Sequence, residues 1–363
     1  MNGDAGQDRP AVYNPRPVVH INGRSYDRVN ELLLAADMRE QEGGLSALEL
    51  RLSNIVSDPD GGAGYAFEDE AEISLGASIT LLAGDITEPQ EIFRGVITGL
   101  EAEFPDGNPP ELLVLAEDRL QQARMSRRSQ VYWDMSVADV AQQIAGRLNL
   151  QPRITGLTSP VGIWVQLNES DLAFLRRLLR PLGADMQIVE DRLEAAPLSD
   201  IQRQVIEMEL FHDLRSVRFV ADLAHQVTEV TSNGWNPLQG RAVSGTSQGP
   251  TPGPGSGRSG AALLRRALGE RSEHVGHISV SSDEEAQALA DAVFARRARS
   301  FVCAEGTATG HPGLRVGSHL RLRGVSPRFA NTYYVVSAHH RFNQRLGYQT
   351  DFRAECGALG EAS

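Results

Sequence analysis

Two blocks of short, strictly alternating segments frame a helical middle, and this pattern constrains the chain more than any other feature. Ala47-Leu48-Glu49-Leu50-Arg51-Leu52 puts every second side chain on one face, the period-2 signature of a half-buried strand. Ile73–Leu81, residues 91–104 and residues 111–118 repeat it, and Pro17–Gly23 reads as a strand entering a turn at Asn22-Gly23. The connections are short and polar, as in a small antiparallel barrel or sandwich. The last sixty residues alternate again in SFVCAEGTATG, HLRLRG, TYYVVSAHHRF and YQTDFRAEC. A helix over Ser282–Arg299, with Ala286, Leu289, Ala290 and Phe294 along one side, is expected to cover that second β-region.

The middle changes period. Val137, Val140, Ala141, Ile144 and Leu148 recur at helical spacing behind Ser136, and Asp139 stands where a capping box needs it. A second helix begins near Asn168-Glu169-Ser170-Asp171, carries Leu172, Leu175, Leu178 and Leu179, and stops at Pro181 and Gly183. Met186–Glu190 and Arg192–Ala195 read as a hairpin turning at Asp191. Asn168, Ser170 or Asp171 can satisfy helix N–H groups, and Glu169 and Asp171 suit the positive end of the helix dipole. These are structural tasks.

The resulting fold class is α+β, mainly β: two antiparallel β-barrel domains with an inserted small α/β domain. Residues 1–16 are expected to be disordered, 17–125 to form the first β-domain, 126–200 the insert, 201–357 the second β-domain and 358–363 a tail. Within the second, VSGTSQGPTPGPGSGRSG (243–260) reads as a flexible Gly/Pro/Ser segment.

Composition removes several function classes. The net charge is −12 and every basic residue is Arg; without a basic stripe, direct nucleic-acid recognition is not expected. The pairs Arg127-Arg128, Arg176-Arg177 and Arg296-Arg297 read as solvated faces. No apolar run reaches the ~18 residues of a membrane span, and the polar N-terminus lacks a secretory core, so the expected place of synthesis and assembly is the cytoplasm. Cys303 and Cys356 stand alone, without the C-x-x-C spacing of a metal or redox site, and are expected to be reduced. His339 and His340 fall on opposite faces of one strand and cannot share a metal. His274 and His277 bring too few ligands for one. The acidic runs Glu68–Glu72 and Asp283–Glu285 suit a loop and a helix start better than paired catalytic carboxylates. Neither a P-loop nor an H-E-x-x-H occurs, and GTSQGPTPGPGSG has glycines but no flanking strand–helix context. No catalytic residue, cofactor or metal is assigned.

Three segments carry a family resemblance: SVADVAQQIAGRLNL, VQLNESDLAFLRRLLRPLGADMQIVEDRL and YYVVSAHHRFNQRLGYQTDFRAE. Their Ser-capped helix, N-E-S-D turn, F-L-R-R-L helix, glycine and hairpin resemble the phage late-control protein D family. That family includes baseplate hubs of contractile tails and the N-terminal hub portion of VgrG-type spikes. The resemblance implies tube-type barrels and a homotrimeric, non-enzymatic adaptor between a hexameric inner tube, or tube-initiator protein, and a trimeric spike, held among baseplate wedge proteins in a phage tail or injection particle. Because the chain stops at Ser363, the spike is expected to be a separate protein. Tyr333, Tyr334, Phe342, Tyr348 and Phe352, which alternate with polar residues in the last strands, are the candidate subunit or partner interface. A tail-associated peptidoglycan hydrolase and a carbohydrate-binding tail-tip module are the alternatives.

Overall fold

The computed structural model describes residues 13–57, 61–249 and 254–360. The protein is mainly β, as the alternation requires. One thirteen-stranded sheet runs through both β-regions. Its order is Leu214–Ala221, Val302–Thr309, Gly347–Cys356, Thr332–Asn343, Leu33–Gln41, Ser46–Ser53, Glu111–Glu117, Pro89–Glu103, Ser78–Asp85, Tyr13–Ile21 and Arg24–Ser25. Off this path, His319–Arg323 pairs antiparallel with Thr332–Asn343 and parallel with Val205–Glu209.

The mainly β class with its inserted α/β unit is as expected, and the two β-regions are continuous through one sheet. Among the described residues no barrel closes, and the halves join where Leu33–Gln41 lies antiparallel to Thr332–Asn343, with Arg39 opposite His339. Two boundaries move. The first strand begins at Tyr13, so only residues 1–12 of the expected disordered stretch lie outside the described residues. The Gly/Pro/Ser segment is structured at both ends: Arg241–Ser247 is a strand and Gly260–Ala267 a helix capped by Ser259, while 250–253 lie outside the described residues.

Four apolar cores account for the layers. The first gathers Val19, Leu33, Met38, Leu50, Ile79, Leu81 and Phe93 beneath the N-terminal strands, and it is completed from far away in sequence by Phe342 and Tyr348. The insert has its own core around Val140, Ile144, Phe174, Leu175 and Leu193. A third, with Leu320, Tyr333, Val335 and Phe352, underlies the C-terminal strands. The fourth was not anticipated. Helix Asp283–Arg299 packs Leu289, Val293 and Phe294 on Val230, Val243 and Val275 of a small sheet formed by Arg241–Ser247, Glu229–Asn236 and Ser272–Val275. The helix therefore covers its own sheet, and the chain leading to it contributes two strands, Leu214–Ala221 and Glu229–Asn236, to different sheets.

The insert follows its sequence closely. Ser136 caps Val137–Arg147 by accepting from Asp139 N at 3.1 Å, and Asp139 accepts from Ser136 N at 2.9 Å, a reciprocal box whose serine contributes about 1 kcal/mol. Ser170 caps Asp171–Leu179. Gly183 takes the left-handed conformation (φ 60°) that ends the next turn, where a side chain would be strained. The hairpin Ala184–Val189 and Arg192–Pro197 forms as expected, and Gln151–Ile154 adds parallel to its second strand.

Candidate assembly surface

Three regions of this framework bear on what the protein does: the seam between the halves, the joint that holds the insert, and the exposed surface of the insert.

Charge is concentrated at the seam. Glu40 occupies an inward position of its strand, in phase with Ala36 and Met38, and is buried. It accepts from Arg315 Nη2 at 2.6 Å and from Val316 N at 2.5 Å. Burial opposes its ionisation, but the Arg315 guanidinium outweighs burial and holds the carboxyl below its ordinary value. Arg299, at the end of the long helix, donates to Glu355 at 2.9 Å and to Glu42 at 2.9 Å, and stacks 5.0 Å from the Tyr334 ring centre. On the outward face Asp37 meets His339 Nε2 at 2.5 Å, and Arg341 donates to Asp351 at 2.9 Å. His340 points inward and hydrogen-bonds the Tyr348 hydroxyl at 2.7 Å. Burial, reinforced by Arg315, pushes His340 down to about 3, so it stays neutral at physiological pH.

The insert grips the turn between Leu33–Gln41 and Ser46–Ser53. Asp185 accepts from Gly43 N at 2.7 Å, Arg176 donates to Gly43 O at 2.6 Å, and Gln187 donates to Gln41 O at 3.1 Å. Gly44 has φ 90°, and a Cβ there would lie 2.8 Å from Leu120 Cδ1 and 3.1 Å from Met186 O, so the turn approaches too closely for any other residue. Asp118 accepts from Ser46 N at 2.5 Å and Leu120 N at 2.9 Å. A cleft of about 600 Å³ opens at this joint, lined by Asp118, Asp185, Arg203 and Arg315 among others.

Burial raises the Asp118 carboxyl to about 6, against the pull of its backbone donors. Because the folded value lies above the ordinary 3.8, the stabilisation is complete below that value and is lost as pH rises through about 6. About two pKa units correspond to about 3 kcal/mol. Asp118→Asn should therefore flatten the stability profile between pH 4 and pH 7 by roughly that amount, and urea unfolding across this range checks it. Equal slopes in both proteins would contradict it.

The third region was missed in the sequence. Strands Arg127–Ser136 and Val161–Ser170 form an isolated two-stranded ribbon. Its inner face packs on the insert helices. Tyr132 stacks on Phe174 with ring centres 5.4 Å apart. Buried Asp171 accepts from Arg147 at 3.0 Å and Gln166 at 2.9 Å, so it anchors the ribbon as well as starting a helix. The outer face is apolar and open: Val131, Trp133, Val161, Ile163, Val165 and Leu167, with Trp133 68 %, Ile163 56 % and Leu167 76 % exposed. Alternation VGIWVQL with two apolar phases was the available signal: an inward Trp164 and Gln166 leave Val161, Ile163, Val165 and Leu167 outside.

The five aromatics offered as an interface lie elsewhere and are corrected here. Tyr333, Tyr334, Phe342, Tyr348 and Phe352 are all buried within the chain. Tyr333 and Phe352 fill the third core, Phe342 and Tyr348 the first, and Tyr334 backs the Arg299 cluster. Alternation identified the right strands, but the polar phase faces outward.

Several motifs resolve into structural roles. Arg128 and Arg147 pair with Asp171, Arg177 with Glu169, and Arg297 with Glu273. Asp283 accepts from Ser244 N and pairs with Arg241, and Glu72 pairs with Arg28. Cys303 lies opposite Glu355 and Cys356 opposite Val302, so the two thiols sit on neighbouring strands but face opposite sides, and both are free. Among the described residues there is no cluster of three or more metal-ligating side chains, and no helix is long and apolar enough to cross a membrane.

The family model described as the Alg8 N-terminal domain matches residues 56–344. The chain belongs to that family. No curated protein is significantly similar to it. The fold matches solved tail proteins over almost its whole length. The 43 kDa tail protein of prophage MuSo2 from Shewanella oneidensis has a TM-score of 0.67 at 12 % identity, covering 93 % of this chain and 97 % of that one. A tail protein from Neisseria meningitidis MC58 has 0.64 at 13 %, covering 95 % and 97 %. An E. coli component of the type VI secretion system, itself described as similar to bacteriophage T4 tail proteins, has 0.60 at 14 %, covering 95 % and 79 %. This family member thus has a phage-tail-type fold.

Proposed function

We propose that the chain is a non-enzymatic hub subunit at the tip of a phage-tail-like injection apparatus. Three copies form an adaptor between a hexameric inner tube and a separate trimeric spike, with baseplate wedge proteins around it. The observation that carries this reading is the end-to-end correspondence with tail proteins of a fold in which one sheet bears two β-regions. Two β-regions per chain would let three chains present six docking faces to a tube, and cyclic closure then fixes the copy number. Kinship with late-control protein D hubs is part of the proposal and rests on Ser136–Leu148, Asn168–Leu193 and the final strands. The rigid, charged seam suits the task, because the spacing of two docking faces must survive the load of contraction.

The test is mass. The purified protein, alone and mixed with the tube and spike proteins encoded beside it, is weighed by light scattering and native mass spectrometry. A three-copy species in either condition is expected. A single copy in both would overturn the reading.

A further inference from the structure

We infer that the outer face of the two-stranded ribbon is a contact between copies of this chain, docking onto the corner of the neighbouring copy marked by Tyr65 and Phe104. This rests on the homotrimeric reading above and names the surfaces it would use. Six large apolar side chains on an isolated ribbon expose on the order of the few hundred Å² above which a patch marks an interaction site. That is the size of the apolar centre of an interface burying ~800 Å² per partner.

Charge identifies the occupant. The Leu167 end of the ribbon carries exposed Arg127, which donates to Asn168 O at 3.1 Å and pairs with no carboxylate among the described residues. On the N-terminal β-region, Tyr65 and Phe104 are 53 % and 65 % exposed and meet edge to face at 5.8 Å. Exposed Glu68, Glu101 and Asp106 stand within three residues of them. An apolar strip with a basic end and an apolar corner with an acidic rim are complementary, and both are exposed on the same molecule. Two different patches that fit each other make a head-to-tail contact, which closes into a ring when the rotation allows. A symmetric pairing of ribbons would close at two copies instead.

The experiment compares the wild-type chain with Ile163→Glu and Phe104→Glu, each checked for an unchanged circular dichroism melt, with Ile163→Ser and Phe104→Ser as milder versions. Both substitutions should raise the subunit dissociation constant by about tenfold or more and yield monomer at concentrations where wild type is trimeric. Arg127→Glu should weaken the trimer, and combining it with Glu101→Arg and Asp106→Arg should restore it. If the wild type is trimeric and the variants remain so, the inference fails while the hub reading stands. If the variants stay trimeric but no longer bind a tube or wedge protein, the ribbon serves another macromolecule and the inference is again overturned. A wild type that never trimerises sinks both.

Discussion

Replacing Arg299 with alanine should destabilise the fold by about 3–5 kcal/mol, the penalty of leaving buried charge without its partner. Arg299 is buried and is held by Glu42, in the turn just after the N-terminal seam strand, and by Glu355, in the C-terminal strand Gly347–Cys356. Its charge is what the two carboxylates share. Burial already raises Glu42, with Arg299 opposing that rise and Asp185 and Glu355 adding to it. Without the guanidinium, Glu42 becomes still harder to ionise in the folded state. A folded carboxyl raised above its ordinary 4.5 loses its stabilising contribution as pH rises. The deficit of the variant should thus be largest at neutral pH and shrink toward pH 4. Arg299→Met, which keeps the apolar stem, should recover only the packing part. Urea unfolding at pH 7 and pH 4 measures both effects; a deficit that is small, or equal at the two pH values, would show that the cluster does not hold the seam.

Phe342→Ala should cost about 3–5 kcal/mol and should be felt in both β-regions at once. Phe342 belongs to the C-terminal strand Thr332–Asn343, yet its side chain fills the core of the N-terminal strands beside Leu33 and Leu50. A cavity there lowers the stability of a sheet whose two halves share a backbone ladder. Hydrogen exchange should report loss of protection in Ser46–Ser53 and Gly347–Cys356 together. Loss confined to one of the two strands would mean that the halves unfold as separate domains.

The sequence was legible where local chemistry decided the structure. The Ser136–Asp139 box, the Ser170 cap, the turn at Asp191 and the helix behind Ser282 all form as their residues require. It was misleading where tertiary context overrode composition. LLAADMREQ is rich in good helix formers and puts a carboxylate, Glu40, in the apolar phase, yet it is the strand that joins the halves, because Arg315 satisfies that carboxylate. Arg241–Ser247 has little apolar content, but its Val243 meets the helix Asp283–Arg299 through a shared core that only the fold assembles. The candidate interface failed for a related reason. Alternation marks two faces of a strand without saying which one meets solvent, and the aromatics of the last strands face in while the valines and leucine of Val161–Ser170 face out.

The seam also governs how the molecule comes to exist. Arg39 must find His339, three hundred residues downstream, and at ~5–20 residues per second a ribosome needs roughly 15–60 s to supply it. Throughout that interval the nascent N-terminal half carries an unpaired strand edge and an apolar cavity awaiting Phe342 and Tyr348. Such an edge invites pairing with other chains. Slower synthesis should therefore lengthen the time for which that edge stays open before the final hairpin emerges.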